Sequence, residues 1–237
     1  MIHGMTVHGV QYLDDRAHPT TYYVRDSGVG LLLLNHPQRG LGMRVGVLGL
    51  GAGTLATYAQ DGDVYRYYEI NPVVVRLAEG EGGFFTFLQD SKATTTVVLG
   101  DARISLEQEQ PQNFDVLVLD TFSSDSIPVH LVTKEAFGLY LAHLAPDGII
   151  AAHITNLHLD LQPVFWQLAK NYGLSMVRVN YEGDAMGGYA SHWILLARDP
   201  ALLENPAILE HSVDLTEYST SIELWTDDYS NLFQILK

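Results

Sequence analysis

The chain has no cysteine among its 237 residues. That excludes disulfide bonds, a thiolate nucleophile and a thiolate-ligated metal. Basic groups are scarce, 13 Lys and Arg against 28 Asp and Glu, for a formal charge of −15. A nucleic-acid binder needs a basic footprint, and none is visible, so no nucleic-acid partner is expected. The carboxylate surplus either draws cations toward the surface or only keeps that surface soluble. Long hydrophobic runs are missing too. The longest, such as residues 29–34, fall far short of the ~20 residues a membrane-crossing helix requires. No basic stretch followed by an apolar one opens the chain, so no signal peptide is expected and the cytoplasm is the expected location. With 47% apolar and only 17% charged residues, the chain can fill a core and is not a disordered one.

Residues 1–35 are rich in Thr, Val and Tyr, and are broken by Gly9, Asp14-Asp15, Pro19 and Ser27-Gly28. That pattern predicts short antiparallel strands joined by turns, followed by a loop over 36–42. From Arg44 onward, apolar strand-like runs at 44–48, 64–69, 95–99, 114–119 and 149–154 alternate with helical patterns. Phe137, Tyr140, Leu141 and Leu144 repeat on one helical face, as do Leu157, Leu161, Val164, Phe165 and Leu168, with Gly173 as the stop. Unbroken apolar strands separated by helices predict an α/β fold: a mostly parallel sheet covered by helices on both faces. Strands at 175–181 and 192–197 are expected as an antiparallel edge pair, and the tail from 200 as a helix plus irregular chain. The division expected is a small N-terminal β region, 1–40, and a Rossmann-like nucleoside-binding domain, 41–237.

The segment VGVLGLGAGTLATYAQDGDVYRYYEINP carries the first ligand signal. Gly49, Gly51 and Gly53 end a strand where backbone N–H groups can approach a ligand, and Glu69 ends the next strand, where an acid can accept from ribose hydroxyls. The spacing is G-x-G-x-G, with the third glycine one residue earlier than in a dinucleotide fingerprint, as for adenosyl-sulfonium ligands. Asp101, after the third strand, either accepts from an adenine amino group or serves as a helix N-terminal acid stabilised by the dipole.

FDVLVLDTFSSDSIPVHLVT puts Asp120 at the carboxyl end of a buried strand, where open α/β sheets bind ligands. Asp125 follows in a Ser-rich loop. Two carboxylates on one pocket can hold an ammonium, and one can take its proton; the alternative is a pair of loop caps. His153, at the end of the fifth strand, reads as a hydrogen-bonded structural histidine in preference to a pocket residue. Asp227 and Asp228 read as a solvated turn in preference to a cap on the site. The ten histidines show no tight ligand spacing, and no metal is expected.

Taken in order, G-x-G-x-G, the strand-end Glu69, "GDA" and "FDVLVLD" resemble the spermidine synthase family of aminopropyltransferases. The likeness is greatest to bacterial spermidine synthase-like domains, some of which are fused to membrane transporter segments. "HGVQ…TTYY" matches the family's N-terminal hairpin region and "GGYASHW" its later Tyr-x-Ser strand motif. The resemblance implies a class I adenosylmethionine-methyltransferase-like fold behind a small β-domain. It also implies transfer of an aminopropyl group from decarboxylated S-adenosylmethionine to a small cationic amine such as putrescine, releasing methylthioadenosine. Glu69 would then hold the ribose, Asp101 and the Ala102 backbone the adenine, and Asp120 would act as general base or position the amine. Gln11, Tyr22 and Tyr23 would line the pocket, and Asp125 would be the second acid. A homodimer is consistent with the family, though no stretch marks an interface. Two departures stand out: Ala52 replaces the acid of the family's G-G-G-D-G-G turn, and Asp120 and Asp125 are two residues further apart than the usual D-x-x-D. They leave room for ordinary S-adenosylmethionine as donor, hence a methyltransferase, or for a non-catalytic nucleoside- or polyamine-binding domain.

Overall fold

The structure is a computed structural model and describes residues 2–3, 6–7, 9–121 and 128–237. Eight strands form one sheet: β3 (Arg44–Leu48), β4 (Val64–Glu69), β5 (Thr94–Leu99), β6 (Phe114–Leu119), β7 (Leu144–His153), β8 (Ser175–Tyr181), β9 (Ser191–Ala197) and β10 (Ser212–Val213). Two short strands, β1 (Ile2–His3) and β2 (Thr6–Val7), pair antiparallel on their own. The order across the sheet is β10-β8-β9-β7-β6-β3-β4-β5. Strands β5, β4, β3, β6 and β7 run parallel to one another, whereas β9 is antiparallel to both β7 and β8. The parallel, doubly covered sheet predicted from the apolar runs is therefore present, with the strand order of a class I methyltransferase-like fold.

Both faces are buried because alternate residues of the central strands feed two separate cores. Val116 and Val118 enter one with Val45, Val47, Tyr65 and Tyr67. Leu117 and Leu119 enter the other. The first core is covered by α1 (Gly28–Asn35), α2 (Pro72–Ala78) and α6 (Pro206–Leu209). The second is covered by α3 (Ala102–Gln108), α4 (Lys134–His143) and α5 (Gln162–Tyr172). Phe137 and Phe165 meet there edge-on at 5.8 Å; truncating either to Ala would cost about 3–5 kcal/mol.

Four expectations need correction. Residues 28–35 are a helix, not strand: the Ser27 hydroxyl accepts from Gly30 N and caps it. Residues 28–33 of α1 are buried on every side, so the run GVGLLLLN carries no helical periodicity, and a short apolar run does not tell helix from strand. Its Gly28 lies against Trp193, so closely that a Cβ would sit 2.5 Å from the Trp193 Cβ, and this part of the expected N-terminal β region joins the sheet's own core. The helix expected after the glycine turn is one 3-10 segment, Thr54–Tyr58. Strands β8 and β9 pair antiparallel as expected, but the two-residue β10 and not this pair forms the rim, and β9 lies between β7 and β8. Finally, α5 starts at Gln162, after the exposed Leu157. Pro163 lies in its first turn, where a missing N–H costs nothing. Gly173 ends it with φ 64°, as expected.

Candidate functional site

The chain runs from β3 outward to β4 and β5, then returns to β6 on the other side of β3. Ligands bind in such sheets where the order reverses, and the carboxyl ends of β3 and β6 open there on a cavity of about 460 Å3. That is ample for a nucleoside-sized molecule. Gly49 follows β3 with φ 95°, and a Cβ on it would lie 2.1 Å from the Asp120 carbonyl oxygen. Only glycine lets the two strand ends pass so closely. Asp120 N in turn donates to Leu48 O at 2.8 Å.

Glu69 ends β4, Asp101 follows β5 and Asp120 follows β6, and all three line the cavity with Gly49, Gly51 and Ala102. The Glu69 carboxylate spans the glycine turn, accepting from Leu50 N at 3.1 Å and Asn71 N at 2.8 Å. Asp101 is the N-cap of α3, its Oδ1 accepting from Ile104 N at 3.0 Å. Its Oδ2 lies 2.9 Å from His130 Nε2, and since a carboxylate only accepts, that nitrogen carries the proton. Burial raises the Asp101 pKa, but the Ile104 N–H and the His130 imidazole more than offset this and hold it below the usual carboxylate value. Exposed apolar side chains, Ile70 and Val73, form the outer wall.

Asp120 is held differently. Its Oδ2 accepts from the Tyr23 hydroxyl at 2.5 Å, and its Oδ1 lies 2.8 Å from His153 Nδ1. Burial, reinforced by the Asp120 charge, lifts the Tyr23 pKa well above its usual value, so the phenol stays protonated as a donor. The His153 ring stacks on Trp193 with centroids 4.6 Å apart and planes 12° apart, and Tyr22 packs on it at 5.1 Å.

Other sequence-predicted residues fall elsewhere. Gln11 is not among the cavity's lining residues: its amide binds Thr86 N, Thr86 Oγ1 and Arg16 O, tying the N-terminal segment to residue 86. Tyr22 stands one layer back, between His153 and Tyr189. Gly53 packs on Leu88 and Phe87 and starts the 3-10 segment. Ala52 is buried against Gly9, where an added Cβ would meet the Ala52 Cβ at 2.3 Å, so residue 52 faces the N-terminal segment. Asp125 lies outside the described residues. Asp227 sits in a tight turn, as expected, but is not merely solvated. It takes two bonds from Arg103, at 2.7 and 2.6 Å, and one from Thr133 Oγ1, and the guanidinium holds its pKa down to about 2. Arg103 also donates to His130 O, so this tail turn braces the Asp101 end of the cavity, not the Asp120 end. Sequence reasoning missed His130, which no spacing marks, and Asn71, whose Asn-Pro step after Glu69 is a helix N-cap signal. Among the described residues, no three His, Asp or Glu side chains cluster as metal ligands would, and no helix is long and apolar enough to cross a membrane.

Strand order and switch-point cavity define the class: a class I adenosylmethionine-methyltransferase-like α/β domain. Among proteins of known activity, the chain is similar to the polyamine aminopropyltransferase of Vibrio vulnificus (strain CMCP6), with 31% identity over 138 residues. That match takes in 55% of this chain and 42% of the relative, so the chain aligns with less than half of that protein's length. Solved structures with the same fold include a probable spermidine synthase from Corynebacterium glutamicum (TM-score 0.53, 23% identity, 66% of this chain and 56% of that one). A spermidine synthase in complex with the transition-state analogue AdoDATO superposes with a TM-score of 0.55 at 15% identity, over 84% of this chain and 67% of that one. No family model matches the chain.

Proposed function

We propose that the chain is a spermidine synthase-like aminopropyltransferase. It would move the aminopropyl group of decarboxylated S-adenosylmethionine to a small diamine such as putrescine, in the cytoplasm, and release methylthioadenosine. The observation that carries the reading is the row of three acids at the carboxyl ends of parallel strands around one cavity, in a chain 31% identical over 138 residues to a polyamine aminopropyltransferase. Glu69 would receive the ribose and Asp101 with Ala102 the adenine, leaving the sulfonium near Asp120.

A sulfonium departs as a neutral thioether, so no acid is needed for the leaving group. The difficulty is the nucleophile: an alkyl amine has a pKa of roughly 10.4 and arrives as an ammonium. Asp120 attracts that cation and accepts its proton. The freed nitrogen lone pair attacks the methylene next to sulfur, the C–S bond breaks with its electrons passing to sulfur, and the product leaves as a secondary ammonium, so the proton taken by Asp120 is the one released overall. Proton transfer would contribute roughly 10²–10⁴-fold and in-line alignment about 7–11 kcal/mol.

Calorimetry with decarboxylated S-adenosylmethionine, S-adenosylmethionine and methylthioadenosine, followed by mass spectrometry of diamine products, tests the reading. Tighter binding of the decarboxylated donor and a mass gain of one aminopropyl unit on putrescine are expected. Tighter binding of the carboxylated donor with a methylated product would make the chain a methyltransferase. Donor binding without any product would make it a nucleoside-binding domain.

A further inference from the structure

We propose that His153 is a positioning residue for the transfer reaction, setting both the orientation and the net charge of the Asp120 carboxylate that receives the amine. The inference rests on the aminopropyl-transfer reading and adds to it a residue that touches neither donor nor acceptor.

The geometry carries it. Asp120 and His153 side chains are 13% and 7% exposed, and their O···N separation is 2.8 Å. The imidazole cannot turn away, because Trp193 lies flat on it and Tyr22 leans on it. A carboxylate accepts but does not donate, so Nδ1 carries the proton whenever Asp120 is ionised. With Oδ2 taken by the Tyr23 hydroxyl and Oδ1 by Nδ1, the carboxylate plane is fixed from both sides.

Charge follows from the same arrangement. With a neutral imidazole the pair bears one negative charge, which complements an ammonium. With an imidazolium the pair is neutral and the attraction is lost. The proton count belongs to the coupled pair. Among the described residues, the titratable groups near the imidazole include Tyr22 and Tyr23 from the N-terminal segment, Asp120 just after β6, and His192 from β9, which has Arg178, Glu182 and Lys237 around it. Burial holds the His192 pKa below its usual value. Acceptor use therefore follows the proton count of the Asp120–His153 pair as a unit.

The test is the pH profile of kcat/KM for putrescine in wild type, His153→Gln and His153→Ala, with methylthioadenosine binding as the folding control. A Gln amide can still donate to Asp120 but does not titrate. His153→Gln is expected to keep kcat within about tenfold near pH 8.5 and to lose the acid limb of the wild-type profile. His153→Ala is expected to lose roughly 100-fold in kcat, at the lower end of what a misplaced base costs, and both should bind methylthioadenosine as wild type does. An acid limb that survives in His153→Gln, or full activity in His153→Ala, overturns the inference. If wild type transfers no aminopropyl group, the proposed function falls, and imidazole NMR then reads the pair directly. A downfield His153 Nδ1–H resonance that disappears in Asp120→Asn supports the positioning role; its absence in wild type overturns it.

Discussion

The two ends of the cavity are built by different means. At the Glu69–Asp101 end, the carboxylates are held mainly by backbone N–H groups: Leu50 and Asn71 for Glu69, and Ile104 for Asp101, which also meets the His130 side chain. At the Asp120 end, the carboxylate is held by two side chains, Tyr23 and His153, which lie 97 and 33 residues away in sequence. Backbone groups make most of the first end, and side-chain packing makes the second. The first should therefore tolerate changes elsewhere in the molecule, while the second should respond to any residue that shifts the aromatic layer.

The largest expected effect breaks the second end outright. Asp120→Asn should lower turnover by roughly 10²–10⁴-fold and leave methylthioadenosine affinity unchanged in calorimetry; equal loss of both would show that the two ends are not separable. Gly49→Ala attacks the point where they meet. A Cβ at φ 95° would lie 2.1 Å from the Asp120 carbonyl, and backbone strain plus overpacking should cost about 3 kcal/mol or more in denaturant unfolding. Tyr23→Phe removes one of the two long-range bonds to Asp120. A hydrogen bond to a charged group is worth about 1.5–3 kcal/mol, which should appear in kcat and not in nucleoside affinity.

At the first end the effects are smaller. Asp101→Ala should weaken nucleoside binding by about 1–3 kcal/mol, and it also removes a helix cap worth about 1 kcal/mol of stability. Asp101→Asn keeps the cap, so a thermal melt beside a binding isotherm separates the two roles.

The smallest effect is the pH dependence of stability. Burial pulls the pKa of His36, His143 and His192 below the usual 6.5, so the unfolded chain binds protons more readily than the folded one. The stability from burying them neutral is complete above about pH 6.5 and declines as pH falls below it. Asp227 works in a lower window: the stabilisation from its Arg103 pairing is complete above its usual 3.8 and is lost as pH falls toward about 2. Denaturant midpoints between pH 7.5 and 5.5 should therefore fall before any carboxylate contributes.

What could be read in advance follows the same division. Strands β3, β4 and β6 match their predicted bounds, because buried parallel strands and their short turns leave a local signature of apolar runs and glycines, and the antiparallel β8 matches as well. Asp101 and Glu69 were visible as acids following strands. Helix α1 was not visible, because total burial erased its periodicity. The place of β9 between β7 and β8 was hidden as well, since either an edge or an inserted strand reads as the same apolar run.

Local pattern was thus enough for the parallel sheet, its glycine turn and the three acids at the strand ends, since short-range backbone geometry and burial dictate each of them. It was not enough to show that His153 serves Asp120, that Gly9 covers Ala52, or that Asp227 reaches Arg103 across 124 residues. Those contacts join segments distant along the chain, and they exist only once the sheet has brought the segments together.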